Sequence, residues 1–220
     1  LTSGIWNLIS LWRSFIRIFF RLLYHEMAWT YDLVAWLVSF GHWKAWGRAA
    51  IPHLQGQRVL ELAHGPGHLL VAMCQAGFLP VGLDLSPQMG RLARNRLYRS
   101  SIPMPPLVRA RAQALPFRAS SFDSVVSTFP TEFIFDPATL KEMARVMGQA
   151  GRAVVVTNVM FNASLPARLL KWVYQVSYQQ EPPPLGLVDA LADAGLTLER
   201  KREPAGMVNV IIAVAEKQVR

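Results

Sequence analysis

Cysteine is almost missing: Cys74 is the single one in 220 residues. One thiol excludes an internal disulfide framework and a multi-cysteine metal site, and it fits a reducing compartment. Cys74 itself reads as a small buried hydrophobe rather than a nucleophile. Charge is also scarce, at 17% of residues, and acid is scarcer than base, 14 residues against 23. The histidines, His25, His42, His53, His64 and His68, fall into no metal-ligand spacing. There is no internal repeat and no low-complexity tract.

What is there is mostly apolar. Hydrophobic residues make up 52% of the chain, which argues against disorder. The length suits one domain with a substantial core. A formal charge of +9 and a pI of about 10.3 imply anionic surroundings: nucleic acid, acidic lipid or an anionic substrate. Leu1 is not methionine, and further residues upstream are expected.

Three zones follow one another. Residues 1–51 are apolar, aromatic and helix-like, and hold every tryptophan but Trp172. Residues 57–157 alternate short apolar runs with helical patterns. Residues 158–220 start helical, pass Pro182-Pro183-Pro184, and finish with a helix and two strands. The spacing predicts strands at 58–62, 80–84, 107–109, 122–127 and 152–157. Helices are predicted at 68–76, 88–99 (capped by Ser86, with Pro87 first) and 137–147. A helix at 187–194 capped by Gly195, then strands at 196–202 and 208–216 around a turn near Pro204-Ala205-Gly206, complete the chain. Strands separated by helices predict an α/β fold with a mostly parallel sheet covered on both faces. We divide the chain into a helical segment, 1–51, and a main domain, 52–220.

The first strand ends in Glu61-Leu62-Ala63-His64-Gly65-Pro66-Gly67, and the second ends in Asp84. Gly65 and Gly67 allow a tight strand-to-helix turn and close approach of a ligand to bare backbone. The helix that follows offers free N–H groups. Asp84 can accept hydrogen bonds from two ribose hydroxyls at the carboxyl edge of the sheet, where open α/β folds bind ligands. A dinucleotide fingerprint needs a third small residue where this chain has Leu70, and Glu61 would sit poorly beside a pyrophosphate. An acid before the glycines suits a cofactor with cationic groups, which points to S-adenosyl-L-methionine. His64 and His68 flank the glycines, either as polar site residues or as loop histidines without chemistry.

On these residues the chain resembles a class I methyltransferase of the type 11 group, whose first motif is Asp/Glu-x-Gly-x-Gly-x-Gly. Ala63 stands at its first glycine. Asp84 matches the ribose-binding acid. Arg111-Ala112-Gln113-Ala114-Leu115-Pro116-Phe117 is similar to the family's Asp-Ala-x-x-Leu-Pro-Phe, with Arg111 where the family's acid contacts the adenine. Ser121–Val126 and Glu142–Met147 resemble the fourth strand and the helix before the fifth. The resemblance covers about residues 55–160 and implies a Rossmann-like, seven-stranded sheet with an antiparallel last strand. Tyr31-Asp32, Ser39, Gly41 and Trp46-Gly47-Arg48 resemble the segment before the first strand in ubiquinone/menaquinone-biosynthesis methyltransferases, where it closes over the cofactor. The cofactor set implied is Glu61, Ala63, His64, Gly65, Gly67, Asp84, Leu85, Arg111, Ala112, Gln113, Thr128 and Tyr31. Gln113 or backbone near Ala112 would replace the missing adenine acid. The competing reading is a methyltransferase shape that has lost its cofactor and serves binding or assembly.

Residues 5–23 hold no proline or glycine. On a helix Arg13, Arg17 and Arg21 share a sector of about 80°, inside a polar arc of roughly 120° that also takes Ser3, Asn7, Ser10 and Ser14. Leu, Ile, Phe and Trp fill the rest. Three arginines argue against a transmembrane span and interrupt the apolar region a signal peptide needs. The helix therefore lies in an anionic membrane interface, or packs on the protein or a second subunit. No nucleic-acid motif is present. We expect a cytoplasmic protein, peripheral on the inner face of the membrane.

Methyl transfer from a sulfonium needs alignment and exclusion of water more than covalent help. The acceptor site is expected at Thr128-Phe129-Pro130-Thr131-Glu132. Glu132 and His64 are the candidate bases; for Glu132 a solvated loop carboxylate is the alternative. Tyr174 and Tyr178, four apart on a helical face, line the acceptor pocket or simply pack. A small lipophilic acceptor, a quinone precursor or a lipid, fits a membrane-adjacent enzyme.

Overall fold

A computed structural model describes residues 39, 41–161, 186–205 and 208–217. Seven strands form one sheet: β1 Arg58–Leu62, β2 Leu79–Leu83, β3 Leu107–Val108, β4 Phe122–Thr128, β5 Met147–Phe161, β6 Leu196–Ala205 and β7 Val208–Lys217. Their order across the sheet is β3-β2-β1-β4-β5-β7-β6. Only β7 runs against the rest, antiparallel to both β5 and β6. The helices are α1 Trp43–Arg48, α2 His68–Gln75, α3 Pro87–Arg99, α4 Pro137–Val146 and α5 Leu187–Asp193.

Local sequence explains where these elements start. Ser86 accepts the Met89 N–H at 3.3 Å, and Pro87 opens α3. Asp136 does the same for α4, accepting the Ala138 N–H at 2.9 Å ahead of Pro137. In both, an oxygen satisfies an orphan N–H and proline fixes φ where no donor is needed. Period-two alternation then divides the core. Val59, Val126, Val154 and Ile212 pack on one face with Leu70, Met73 and Leu97 of α2 and α3. Leu60, Leu62, Val125 and Val155 pack on the other with Met143 and Val146 of α4 and Leu191 of α5. Trp46 and Ala50, fully buried, join the first cluster, so the end of the N-terminal segment is part of the sheet's own core. Among the described residues no helix is long and apolar enough to cross a membrane.

Two strands outrun the sequence expectation. β5 was expected at 152–157 and spans 147–161: β7 offers it a ladder from Arg152↔Glu216 out to Phe161↔Val208, and β4 pairs with it back to Met147. The ladder with β4 breaks at a bulge between Phe122↔Met147 and Ser124↔Arg152. A Cβ on Gly151 would fall 2.7 Å from the Met147 Cβ, so the bend needs glycine there. β6 continues through Pro204 to Ala205 rather than stopping at Arg202. It is an edge strand, where proline costs no ladder bond and charges block further pairing.

The connections α2 and α3 step outward from β1 on one face, and α4 crosses on the other. The two directions part between β1 and β4, which puts a crevice at the carboxyl ends of those strands.

Candidate active site

β1 runs out through Glu61 and Leu62 into the loop Ala63–Gly67. Ala63, Gly65 and Gly67 all hold left-handed backbone, with φ of 54°, 52° and 80°. An L side chain costs about 1–2 kcal/mol in that region, which explains a small residue at each alternate position. A Cβ on Gly65 would meet nothing within 4 Å, leaving the space over it open to a ligand. On Gly67 it would come within 2.9 Å of the Ala93 Cβ, so that glycine lets α2 start against α3. Ala63 is the strained member. Ala63→Gly should raise stability by about 0.5 kcal/mol, the strain relieved less the extra chain entropy of glycine. Urea unfolding read by fluorescence checks the sign.

Asp84 ties this loop to the next one. Its Oδ2 accepts the Gly65 N–H at 2.9 Å and its Oδ1 accepts the Ser86 N–H at 2.8 Å. The His64 N–H donates to the Leu83 carbonyl at 3.2 Å, and the Gly67 N–H closes onto the His64 carbonyl at 3.0 Å. Leu85, next in sequence, is 53% exposed.

Glu61 is 1% exposed, and its Oε2 has no hydrogen-bond partner among the described residues. Burial, and then the negative charge of Asp84, push its carboxyl well above the usual range. A buried carboxyl with an unpaired oxygen is costly unless a cation or donor meets it. His64 is also buried, with Nδ1 2.7 Å from the Gly65 carbonyl. A carbonyl only accepts, so Nδ1 carries the proton and Nε2 is left as an acceptor. Burial lowers the His64 pKa against the opposing pull of Asp84.

A cavity opens between this loop, α1 and the end of β4. Glu61, His64 and His68 line it from the loop side, Trp43, Lys44 and Arg48 from α1, and Thr128 and Phe129 from β4. Phe129 holds φ 49°, a strained conformation for a bulky residue. Its N–H donates to the Val156 carbonyl at 2.8 Å, and its ring lies 4.5 Å from that of Trp43 and 6.4 Å from that of Trp46. These contacts hold the strained turn and give the cavity an aromatic wall. Sequence reasoning missed Trp43 and Lys44. The signal was available: Trp43, Lys44 and Gly47-Arg48 fall one helical turn apart, just before the first strand.

The other candidates separate. Ala112 is buried and Arg111 exposed. The Gln113 amide donates to Asp136 at 3.2 Å, so it is engaged with the α4 cap. The Leu115-Pro116-Phe117 turn is held from α4: Glu142 accepts the Leu115 N–H at 2.7 Å, and Arg145 donates to the Phe117 and Leu115 carbonyls at 2.8 and 3.0 Å. Arg145 also pairs with Glu142 at 2.6 Å and draws its carboxyl below the usual range. Glu132 opens a 3-10 turn, Glu132–Phe135, where it is exposed and does not line the cavity. Tyr31, Tyr174, Tyr178, Arg13, Arg17 and Arg21 lie outside the described residues.

A family model described as a methyltransferase domain matches residues 59–151. Demethylmenaquinone methyltransferase of Thermus thermophilus is 32% identical over 170 residues, covering 74% of this chain and 75% of that one. The chain belongs to the class I methyltransferases. Ubiquinone/menaquinone biosynthesis C-methyltransferase of Geotalea uraniireducens is 32% identical over 142 residues, and the match spans 61% of this methyltransferase and 60% of that relative's length. Geranyl diphosphate C-methyltransferase from Streptomyces coelicolor, solved with Mg2+, geranyl diphosphate and S-adenosyl-L-homocysteine, shares the fold. Its TM-score is 0.60 at 13% identity, over 79% of this chain and 80% of that one.

S-Adenosylmethionine, the cofactor of this family, fits the residues present. Glu61 supplies a buried carboxyl, with an oxygen unpaired among the described residues, for a cationic group. Gly65 leaves its backbone open. Each Asp84 oxygen keeps a lone pair for a hydroxyl beyond its backbone bond. Leu70, which argued against a dinucleotide, is fully buried. The room it needs comes from β2, where a Cβ on Gly82 would fall 2.8 Å from Leu70 Cδ1 and 2.9 Å from His64 Cδ2.

Proposed function

We propose that this methyltransferase transfers a methyl group from S-adenosylmethionine to a small lipophilic acceptor, a quinone precursor or a lipid. The observation that carries the reading is one cavity that joins the buried Glu61, unpaired at Oε2 among the described residues, to the aromatic wall of Trp43 and Phe129. The names of the quinone-methylating relatives support it. When bound, the cofactor supplies a methyl group activated by a sulfonium, to be displaced in line. The chain's own part is positional. Glu61 holds the cationic end, Asp84 the ribose hydroxyls, and the Trp43–Phe129 wall excludes water and takes an apolar acceptor. His64 Nε2 accepts a proton where the acceptor must lose one.

Radiolabelled S-adenosylmethionine, offered with a reduced demethylated quinone or with phosphatidylethanolamine vesicles, tests this. Label in the quinone or the lipid identifies the acceptor. Label in neither, with no S-adenosylhomocysteine bound in calorimetry, leaves the other reading: a membrane-associated binding or assembly protein on a degenerate methyltransferase fold. The left-handed Ala63 and the exposed Arg111 are what favour that reading.

For location, the reading is a cytoplasmic protein peripheral on the inner membrane face, with Arg13, Arg17 and Arg21 toward lipid phosphates. If changing all three to Glu leaves co-sedimentation with anionic vesicles unaltered, that part is wrong.

A further inference from the structure

The positive charge of the folded domain is concentrated in one segment. Between Asp84 and Asp123 the sequence holds seven arginines and no aspartate, glutamate or lysine. That segment folds as α3, the edge strand β3 and the turn after it. Arg91, Arg94 and Tyr98 recur at helical spacing along the exposed side of α3, with Arg99 beside them. Arg96, by contrast, turns inward and donates to the Pro66 carbonyl. Arg109 follows β3 and donates to the Leu85 carbonyl at 3.0 Å. That bond ties the end of the edge strand to the residues just before α3. Among the described residues no hydrogen bond or ion pair engages the side chains of Arg91, Arg94, Arg99 or Arg111.

The same segment carries exposed apolar groups: Tyr98 at 81%, Leu85 at 53% and Met104 at 47%. Arginines that no acid neutralises, interspersed with exposed aromatic and aliphatic side chains, match a surface that is anionic outside and apolar just beneath. We propose that the α3–β3 face docks on an anionic lipid bilayer. The arginines meet headgroup phosphates, and Tyr98, Leu85 and Met104 enter the interface. The face lies wholly within the methyltransferase domain, so the proposal does not depend on the N-terminal helix or on the identity of the acceptor. Lipid is favoured over nucleic acid because the face offers apolar groups among its cations and no helix-turn-helix or other groove-reading motif.

The test uses the full chain and two variants, Arg91→Glu/Arg94→Glu/Arg99→Glu and Tyr98→Ala/Met104→Ala. Binding is measured to vesicles of phosphatidylcholine alone, to vesicles with about one-third phosphatidylglycerol, and to a double-stranded DNA oligomer. The same variants are also made with Arg13, Arg17 and Arg21 already changed to Glu, which removes any contribution of the N-terminal helix. The arginine variant should lose at least about ten-fold in affinity for anionic vesicles and bind neutral vesicles unchanged. The apolar variant should weaken vesicle binding and leave any DNA binding alone. Unaltered affinity of the arginine variant in both backgrounds overturns the proposal. So does a loss of DNA binding as large as the loss of vesicle binding, with the apolar variant silent in both. Circular dichroism and S-adenosylhomocysteine affinity of the two variants should match their own background, because Arg91, Arg94, Tyr98, Arg99 and Met104 do not line the cavity.

Discussion

Replacing Glu61 with glutamine should move stability and cofactor affinity in opposite directions. Glu61 is fully buried with an oxygen unpaired among the described residues, and its carboxyl titrates well above the usual range. The folded-state pKa is therefore raised above the unfolded one. The native state loses stability as pH rises from the ordinary carboxylate range through that raised value, because the unfolded chain ionises first. Glu61→Gln abolishes this loss. The variant should be more stable than the parent by about 1 kcal/mol at pH about 8 and no more stable at pH about 4. Urea unfolding at the two pH values reads the difference. Cofactor binding should respond the other way. A cationic ligand favours the ionised carboxylate, so affinity of the parent for S-adenosylhomocysteine, whose amino group is charged, should rise with pH until Glu61 is ionised. In Glu61→Gln that slope should vanish and affinity at neutral pH should fall about 100-fold, the scale for removing one partner of a buried ion pair. Calorimetric titration across pH checks both. Equal affinities for parent and variant, with parallel pH profiles, would remove Glu61 from the cofactor site.

This expectation needed the structure only in part. Glu61, the alternating small residues and Asp84 were legible in the sequence because strand-end acids and tight turns leave residue-type signatures at fixed spacing. The sheet was legible for the same reason: apolar runs bounded by the Gly65–Gly67 turn and by Ser86-Pro87 mark their own ends. What the sequence hides is long-range. β5 runs four residues past its expected end because β7 pairs with it out to Phe161, and no local pattern announces that partner. The strain at Phe129 depends on Trp43 and Val156, both distant in sequence. Gln113 was a reasonable substitute for an adenine contact by position, yet Asp136 takes its amide. Gly82 went unread because its use lies across the fold, in making room for Leu70 and His64. Glu132 had the right type near the right strand, but the 3-10 turn leaves it exposed.

Asp84 combines the two kinds of information, and its variants should separate them. Position alone gives it a ribose role. The structure adds that its two oxygens hold the Gly65 and Ser86 N–H groups, one in each loop that frames the cofactor. Asp84→Ala leaves both donors without their partner and should cost about 2–4 kcal/mol of stability, on the scale of two hydrogen bonds to a charged group. Asp84→Asn keeps one carbonyl acceptor and should cost about half as much. Cofactor affinity should fall in both, by more than about 100-fold in the alanine variant, because the loop geometry and the hydroxyl acceptors go together. The side-by-side series decides between the roles. A purely ligand-binding Asp84 predicts lost affinity with unchanged unfolding, and a purely structural one predicts lost stability with affinity retained in the fraction that folds. The geometry predicts both losses at once, with the asparagine variant intermediate in each. S-Adenosylhomocysteine should accordingly raise the melting temperature of the parent, raise that of Asp84→Asn less, and leave that of Asp84→Ala unmoved.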